Sequence, residues 1–110
     1  MLHPGVKDAG AVAVPDENRE QLVGEARYVA NPDGKSCDLG IMIADGWHKT
    51  GIAGLLMVAL IRAARERGLE RMEGLVLASN TTMLRFARGL GFEMRPILDD
   101  PTTKLIVKKL

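Results

Sequence analysis

The sequence has little cysteine, few aromatic residues and almost no net charge. Of 110 residues one is cysteine (Cys37), one Trp, one Tyr and two Phe, and the formal net charge is +1. A single cysteine excludes an internal disulfide and fits a reducing cytoplasm. The balanced charge provides no strong field for nucleic acid or a membrane surface, and the aromatic residues are too few for a base-stacking platform.

Long apolar runs and metal-ligand clusters are also missing. The longest apolar run, residues 51–61, is well below the roughly 18 residues of a membrane span. The N-terminal residues contain no apolar signal segment. The two histidines, His3 and His48, are isolated and have no metal-ligand spacing. We therefore predict a cytoplasmic protein that needs no metal, membrane or nucleic acid.

What is present indicates one small domain over residues 1–110, with residues 1–10 irregular. The apolar pattern predicts two helices, from about Gly51 to Arg67 and from the N-cap Asn80 to Leu90. It predicts strands at 11–14, 21–30, 38–44, 69–77, 92–98 and 104–110. The resulting order, β-β-β-α-β-α-β-β, is typical of a mixed α/β sheet covered by helices.

A turn and a long apolar helix follow from local residues. Asn31-Pro32-Asp33-Gly34 is a strong turn signal, so the flanking strands form an antiparallel hairpin with Leu39, Ile41 and Ile43 on one face. The first three turns of the first helix are apolar nearly all round, which predicts that it is deeply packed.

The start of that helix predicts a phosphate site. Small residues, Gly51, Ala53 and Gly54, stand where the chain turns into the helix. A helix start offers unpaired N–H groups and a positive dipole end, which together bind phosphate. An ordinary strand-to-helix turn with closely packed glycines is the alternative. Neither a Walker nor a Rossmann glycine pattern is present, which disfavours nucleoside triphosphates and dinucleotides.

The ordered motifs resemble the GNAT superfamily of acetyl-CoA-dependent N-acyltransferases, and most of all the GNAT domains of bacterial protein-lysine acetyltransferases. The family signature, Gln/Arg-x-x-Gly-x-Gly/Ala, corresponds to residues 48–53. The other similar segments are residues 23–29, 31–34, 47–57 and 80–92. The resemblance covers roughly residues 11–110. It implies a mixed, mostly antiparallel sheet flanked by helices.

Two departures from the family accompany the resemblance. His48 stands where Gln or Arg is usual. About ten residues precede Ala11, where the family has a strand and two helices that form one wall of the acceptor site, so we expect that first strand and those two helices to be lacking.

The resemblance implies acetyl-CoA as the co-substrate. The strand around residues 41–43 pairs with the pantetheine arm and offers an N–H to the thioester oxygen, although a plain core strand explains its side chains equally well. Residues 48–54 hold the pyrophosphate, and residues of the second helix flank the arm. The implied cofactor-binding residues are Ile41, Met42, Ile43, His48, Lys49, Thr50, Gly51, Ile52, Ala53, Gly54, Asn80, Met83 and Phe86.

Asp38 is the predicted catalytic base, because it aligns with a glutamate base of the protein-lysine acetyltransferases. An amine with a pKa near 10.4 must lose a proton before it attacks. Glu25 and Glu73 are the other candidates, and a solvated Asp beside a turn is the plain alternative. Ala87 stands where many family members have a tyrosine acid, which is tolerable because a thiol departs readily as thiolate. Cys37 adjoins Asp38 without a histidine partner, which disfavours a cysteine nucleophile.

Three functions remain open on these residues. The first is acetyl transfer from acetyl-CoA to a primary amine, with protein lysine as the expected acceptor, by direct attack. The second is an acetyl-CoA sensor or an inactive shortened domain. The third is an interaction protein whose exposed sheet edge pairs with a second copy as a homodimer.

Overall fold

The chain folds into a sheet that carries two helices, seen here in a computed structural model that describes residues 9–16, 21–44, 46–47 and 50–110. The strands are β1 (Ala9–Asp16), β2 (Gln21–Ala30), β3 (Ser36–Ile43), β4 (Arg71–Leu77), β5 (Glu93–Ile97) and β6 (Asp100–Lys109). The helices are α1 (Ile52–Glu66) and α2 (Thr81–Gly89).

The strands of the described residues form one six-stranded sheet in the order β1-β2-β3-β4-β6-β5. The β3–β4 pair is parallel, and the other four pairs are antiparallel. The predicted element order and the mixed, mostly antiparallel sheet are therefore confirmed. The parallel pair matters most for function, because it brings together two strands that α1 separates along the chain.

The predicted hairpin is confirmed, and two strands are longer than expected. Strand β1 spans Ala9–Asp16 rather than 11–14, so residues 9 and 10 belong to a strand and are not irregular. Strands β2 and β3 pair from Ala30–Cys37 to Gly24–Ile43 across the turn at 31–34. Strand β6 begins at Asp100, although the predicted strand began at residue 104. The β5–β6 register shifts between Pro96 and Ile97, and the chain then reverses tightly at Asp99, which has φ 63°. As a result Ile97 pairs with Asp100, and the strand pairing extends to that residue.

One face of the sheet holds the core and both helices. Leu39, Ile41 and Ile43 lie on this face and pack against the buried core. A Cβ at Gly24 would lie 2.9 Å from Cδ1 of both Ile43 and Leu56. The glycine therefore lets α1 lie close to β2 and β3. This close approach places the start of α1 beside the end of β3.

The expectation that α1 is deeply packed all round is wrong. Its buried residues form one stripe, Leu56, Met57, Leu60, Ile61 and Ala64. Leu55 and Val58 point away from this stripe and are 69% and 52% exposed. The helix packs on the sheet through that stripe, with the partly buried Ile52 and Ala63 beside it, and its contacts run to β1, β2 and β3. Apolar composition by itself did not show how many neighbours the helix has.

The opposite face of the sheet carries exposed apolar side chains. Val29, Met42, Leu75 and Leu77 are each more than half exposed. Neither α1 nor α2 packs there. No helix within the described residues combines the length and the apolar character that a membrane crossing requires.

Candidate functional site

The candidate site is a cleft between two neighbouring strands that pair over only three positions. Ser36, Cys37 and Asp38 of β3 are the residues that pair with β4, and Asp38 lies opposite Glu73. Beyond that point the strands separate around a cavity of about 410 Å³. We call the space between residues 39–43 of β3 and 74–77 of β4 the β3–β4 cleft. Backbone N–H and C=O groups on its two edges have no strand partner across the gap, so an extended ligand can pair with them.

The start of both helices adds to the open end of the cleft. A further cavity of about 370 Å³ adjoins it there, and the two share Ile41, Asn80 and Met83. Six of the predicted cofactor residues line this second cavity together with Thr82: Ile41, Ile43, Ala53, Asn80, Met83 and Phe86. Residues far apart in the sequence thus surround one space, as the resemblance implied.

The first turn of α1 is built to receive an anion. Its N-cap residue Gly51 has φ 84°, a conformation that favours glycine, and no described side chain caps the helix. The turn contains no acidic residue. Beyond the flanking residues and the helix backbone, no atom of the described residues lies within 4 Å of a Cβ built at Gly51 or at Gly54, so the described residues leave this space open. Uncapped N–H groups, a positive dipole end and open space together suit a phosphate group.

The remaining predicted cofactor residues are placed as follows. The Met42 side chain is 60% exposed and lies on the sheet face opposite to Ile41 and Ile43, so any ligand contact there involves its backbone. Ile52 packs against the core. Thr50 donates its hydroxyl to the Trp47 carbonyl at 2.6 Å, which closes the turn before α1. His48 and Lys49 lie outside the described residues.

Sequence reasoning missed the β4 wall of the cleft. The apolar pattern predicted a strand there, but not that Leu75 and Leu77 are 69% and 59% exposed. The β4 residues 74–77 line the cleft opposite Leu39, Gly40 and Ile41, with Ile106 beside them. A single sequence carries no signal for this wall, because strand neighbours across a parallel crossover are not encoded locally.

The closed end of the cleft carries two carboxylates. Asp38 and Glu73 are direct register partners, and they line a cavity of about 450 Å³ with Leu39, Gly74, Leu75 and Leu105. Glu25 pairs with Met42 instead, four residues further along β3. At about 3.3 Å per residue this puts it roughly 13 Å from the level of Asp38. Glu25 and Asp38 therefore do not lie at the same end of the strand pair.

The three candidate bases differ in their hydrogen-bond and ion-pair partners. Glu73 accepts a hydrogen bond from Arg71 Nε at 2.7 Å, and this contact raises the pKa of the Arg71 guanidinium. Glu25 forms an ion pair with Arg27 at 3.4 Å. Asp38 is exposed and accepts one longer hydrogen bond, from Asn31 Nδ2 at 3.3 Å. Asp38 is therefore the one carboxylate of the three whose described partner is an amide rather than an arginine.

Cys37 does not have the environment of a nucleophile. Its side chain is fully buried, and burial raises the pKa of the thiol to about 11, with smaller contributions from the charges of Asp38 and Glu73. A nucleophilic cysteine needs a lowered pKa and access to substrate. This finding supports direct attack by the amine over a cysteine intermediate.

No tyrosine of the described residues lines the cleft. Tyr28 lies in the core with its ring against Gly10, and it is 1% exposed. Ala87, at the position where the family pattern has an acid, is buried on α2. Among the described residues, no group of three or more His, Cys, Asp or Glu side chains is arranged to hold a metal ion.

Another cavity, larger than those of the β3–β4 cleft, lies outside it. It has a volume of about 580 Å³ and is lined by Lys35, Glu70, Arg71, Gly91, Glu93, Arg95, Val107 and Lys109. Two of its guanidinium groups are already paired, Arg71 with Glu73 and Arg95 with Glu93. It shares no residue with the cavities of the cleft, and the facing edges of β3 and β4 beyond Asp38 do not line it.

Comparison with known proteins agrees with this geometry. The model of the acetyltransferase (GNAT) family matches residues 5–92. An acetyltransferase of Pseudomonas aeruginosa is 34% identical over 92 residues, which cover 83% of this chain and 50% of that protein. The chain thus spans about half the length of this curated relative.

Solved structures show the same fold at low sequence identity. The GNAT domain of S. lividans PAT superposes with a TM-score of 0.82 at 19% identity, over 98% of this chain and 64% of that one. A GNAT family acetyltransferase of Elizabethkingia anophelis, solved with acetyl-CoA bound, gives a TM-score of 0.75 at 16% identity, over 96% of this chain and 78% of that one.

Proposed function

The chain belongs to the acetyltransferase (GNAT) family, and we propose that it is a single domain that transfers an acetyl group from acetyl-CoA to a primary amine, with a protein lysine as the acceptor. The observation that carries this proposal is the β3–β4 cleft, which has an uncapped helix start at its open end and a carboxylate pair at its closed end. The two ends are suited to the two substrates.

The described residues fit acetyl-CoA along the length of the cleft. The N–H groups at the start of α1, from Gly51 to Gly54, would hold the pyrophosphate. The free edge of β3 at residues 41–43 would pair with the amides of the pantetheine arm, as an added strand does. Asn80, Met83 and Phe86 would flank the arm from the opposite side, where they line the same cavity. Acetyl-CoA supplies the activated acyl group, and the protein supplies its orientation.

Asp38 would act as the general base at the closed end. It takes one proton from the substrate ammonium, directly or through a water, and so frees the nitrogen lone pair. The nitrogen then bonds to the acetyl carbon while a β3 backbone N–H binds the oxygen that becomes negative. The carbon–sulfur bond breaks, the thiolate takes the second amine proton, and Asp38 releases its proton to solvent. This sequence needs no tyrosine acid, which agrees with the core position of Tyr28.

A cationic acceptor suits the carboxylate pair. Asp38 and Glu73 lie side by side at the mouth of a cavity on an open face of the sheet. Two adjacent carboxylates attract an ammonium before the reaction, even though Arg71 offsets part of their charge. A lysine side chain, long and unbranched, can reach such a mouth from the surface of another protein. A cytoplasmic location and a homodimer through the free edge of β1 remain predictions beside this proposal.

Acetyl transfer measured with radiolabelled acetyl-CoA and a panel of amines and lysine-containing proteins tests the proposal. We expect transfer by the wild-type chain, and a fall in kcat of about 10² to 10⁴ for Asp38→Asn, the usual contribution of a general base. The affinity for acetyl-CoA should be unchanged, because Asp38 lies at the far end of the cleft from α1. Glu25→Gln is the matched control, since it removes a carboxylate on the same sheet face outside the cleft.

The same measurements separate the alternative function. An acetyl-CoA sensor would be stabilised by acetyl-CoA against heat but transfer no acetyl group to any amine, and Asp38→Asn would change nothing. Absence of binding by the wild-type chain would contradict both functions.

A further inference from the structure

A chain of polar side chains runs from the turn at 31–34 to the closed end of the β3–β4 cleft. The Asp33 carboxylate accepts hydrogen bonds from the N–H groups of Lys35 and Ser36 at 2.8 and 2.9 Å. It also accepts the Ser36 hydroxyl at 2.9 Å. The Asn31 amide then donates to Ser36 Oγ at 2.9 Å and to Asp38 Oδ1 at 3.3 Å. The chain is thus Asp33, Ser36, Asn31 and Asp38, in that order.

The direction of these hydrogen bonds is set by the charge of Asp33. An ionised carboxylate only accepts, so the Ser36 hydroxyl must give its one proton to Asp33 and can only accept from Asn31. Asn31 must therefore present its NH₂ group, and the second hydrogen of that group points to Asp38. The reversed amide would place its oxygen against the hydroxyl oxygen and the Asp38 carboxylate.

The anchor of this chain is firmly held. Ser36 is 2% exposed and lies at the start of β3, where it pairs with Arg71. The backbone of Asn31 is fixed independently of its side chain, because its N–H donates to the Ser36 carbonyl at 2.8 Å and its carbonyl accepts from Gly34 at 3.0 Å. Three of the hydrogen bonds to Asp33 also lower the pKa of that carboxyl, so it stays ionised near neutral pH.

We propose that Asn31 is a positioning residue for Asp38, and that the turn at 31–34 serves to aim the catalytic base at the acceptor amine. This inference rests on the proposed function, in which Asp38 takes the amine proton. Asp38 is exposed and has no other hydrogen-bond partner among the described residues, so without Asn31 its side chain would sample several rotamers. Glu73, its register partner, accepts from Arg71, which also forms an ion pair with Asp33 at 3.5 Å.

The test is Asn31→Ala in steady-state acetyl transfer. We expect kcat to fall about tenfold, the order of one lost hydrogen bond to a charged group. The KM for acetyl-CoA should stay unchanged, because the turn lies at the opposite end of β3 from α1. In the Asp38→Asn background the same substitution should have no further effect on the residual rate, since Asn31 acts only through that carboxylate.

Two controls remove a purely structural explanation. Asp100→Asn changes a half-buried carboxylate at the start of β6, which accepts hydrogen bonds from the N–H and the hydroxyl of Thr102, and should leave kcat unchanged. The side-chain ¹⁵N–¹H signals of Asn31 should shift in Asp38→Asn, while those of Asn80 should not. This readout does not depend on turnover.

The outcomes are separable from those of the proposed function. If the wild-type chain transfers acetyl groups and Asn31→Ala matches its kcat, or lowers the rate equally in the Asp38→Asn background, the positioning role is overturned while the proposed function stands. If the wild-type chain transfers to no amine, the proposed function fails and no positioning role in catalysis survives. Unshifted Asn31 signals in Asp38→Asn would overturn the contact itself.

Discussion

The two helices of this protein begin in opposite ways. Helix α2 begins after Asn80, whose side-chain oxygen accepts from Met83 N–H at 3.1 Å. Helix α1 begins after Gly51 in a left-handed conformation with no side-chain cap from the described residues. The start of α2 is capped by its own side chain, whereas the N–H groups at the start of α1 have no side-chain acceptor among the described residues. Both helix starts line the same cavity. We therefore expect α2 to position side chains there and the start of α1 to bind a negatively charged group.

The largest expected effect comes from placing a negative charge at the uncapped start. Gly51→Glu should weaken acetyl-CoA binding at least tenfold, because a carboxylate would repel the pyrophosphate and occupy its space. Isothermal titration of acetyl-CoA measures this effect.

Gly51→Asn is the matched control for that variant. Asparagine tolerates the left-handed conformation better than most residues and carries no charge. It should therefore retain most of the affinity. Equal losses for Glu and Asn would mean that backbone shape, rather than charge, sets the difference between the two helix starts.

The second effect concerns the capped start. Asn80→Ala removes the oxygen that accepts from Met83 and should lower the free energy of unfolding by about 1 kcal/mol. Urea denaturation measures the change. Asn80→Asp keeps the oxygen and should keep the stability.

That Asp variant also tests the cofactor contact implied for Asn80. If the amide NH₂ binds the pantetheine arm, Asn80→Asp weakens acetyl-CoA binding at unchanged stability. If affinity and stability fall together in Asn80→Ala and neither falls in Asn80→Asp, the residue is a cap alone.

A third, smaller effect extends the comparison to the turn at 31–34, where a carboxylate satisfies backbone donors as Asn80 does. Hydrogen bonds from Lys35 N–H, Ser36 N–H and the Ser36 hydroxyl lower the pKa of Asp33 below its ordinary value of 3.8. A lowered folded-state pKa stabilises the protein above the unfolded value, and this stabilisation is lost as the pH falls through the folded pKa.

Asp33→Asn should therefore be less stable than wild type at neutral pH, and the difference should narrow below about pH 4. Chemical denaturation at several pH values measures it. Asp99→Asn, on the reversal between β5 and β6, serves as the control. A difference that stays constant with pH would mean that the charge of Asp33 plays no part in the turn.

The smallest effect is expected at Cys37, whose thiol is buried. Because burial raises the pKa of its thiol to about 11, a thiol reagent at about pH 8 should leave the folded protein unmodified and modify the unfolded chain. Mass spectrometry of the labelled protein measures this. Rapid labelling of the folded chain would show that the closed end of the cleft opens.

Local structure followed closely from local residues. The turn at 31–34 combines Pro32 with Gly34, and the hairpin appeared as predicted. Asn80 was predicted as a cap because a short polar side chain before an apolar stripe can accept a hydrogen bond from a backbone N–H within the first helical turn. The start of α1 was predicted at Gly51, and the structure gives this glycine φ 84°, a conformation that depends on the local backbone alone. Each of these signals lies within one element.

The carboxylates show where that reasoning stops. Asp38 and Glu25 lie on neighbouring strands, and the sequence left open which carboxylate lies beside Asp38. The register put Glu73 beside Asp38, across a parallel pair joined through α1. One residue of register moves a side chain to the other face, and nothing in a strand's own residues states its partner's register.

The sequence by itself determined the elements, the hairpin, the two helix starts and the resemblance to the GNAT family, because these depend on residues close together along the chain. Only the tertiary structure decided that β3 and β4 part after Asp38, that residues 74–77 form the second wall, and that Asn31 reaches Asp38 while Arg71 holds Glu73. Those facts depend on how distant strands pair, which is settled by the packing of the whole sheet.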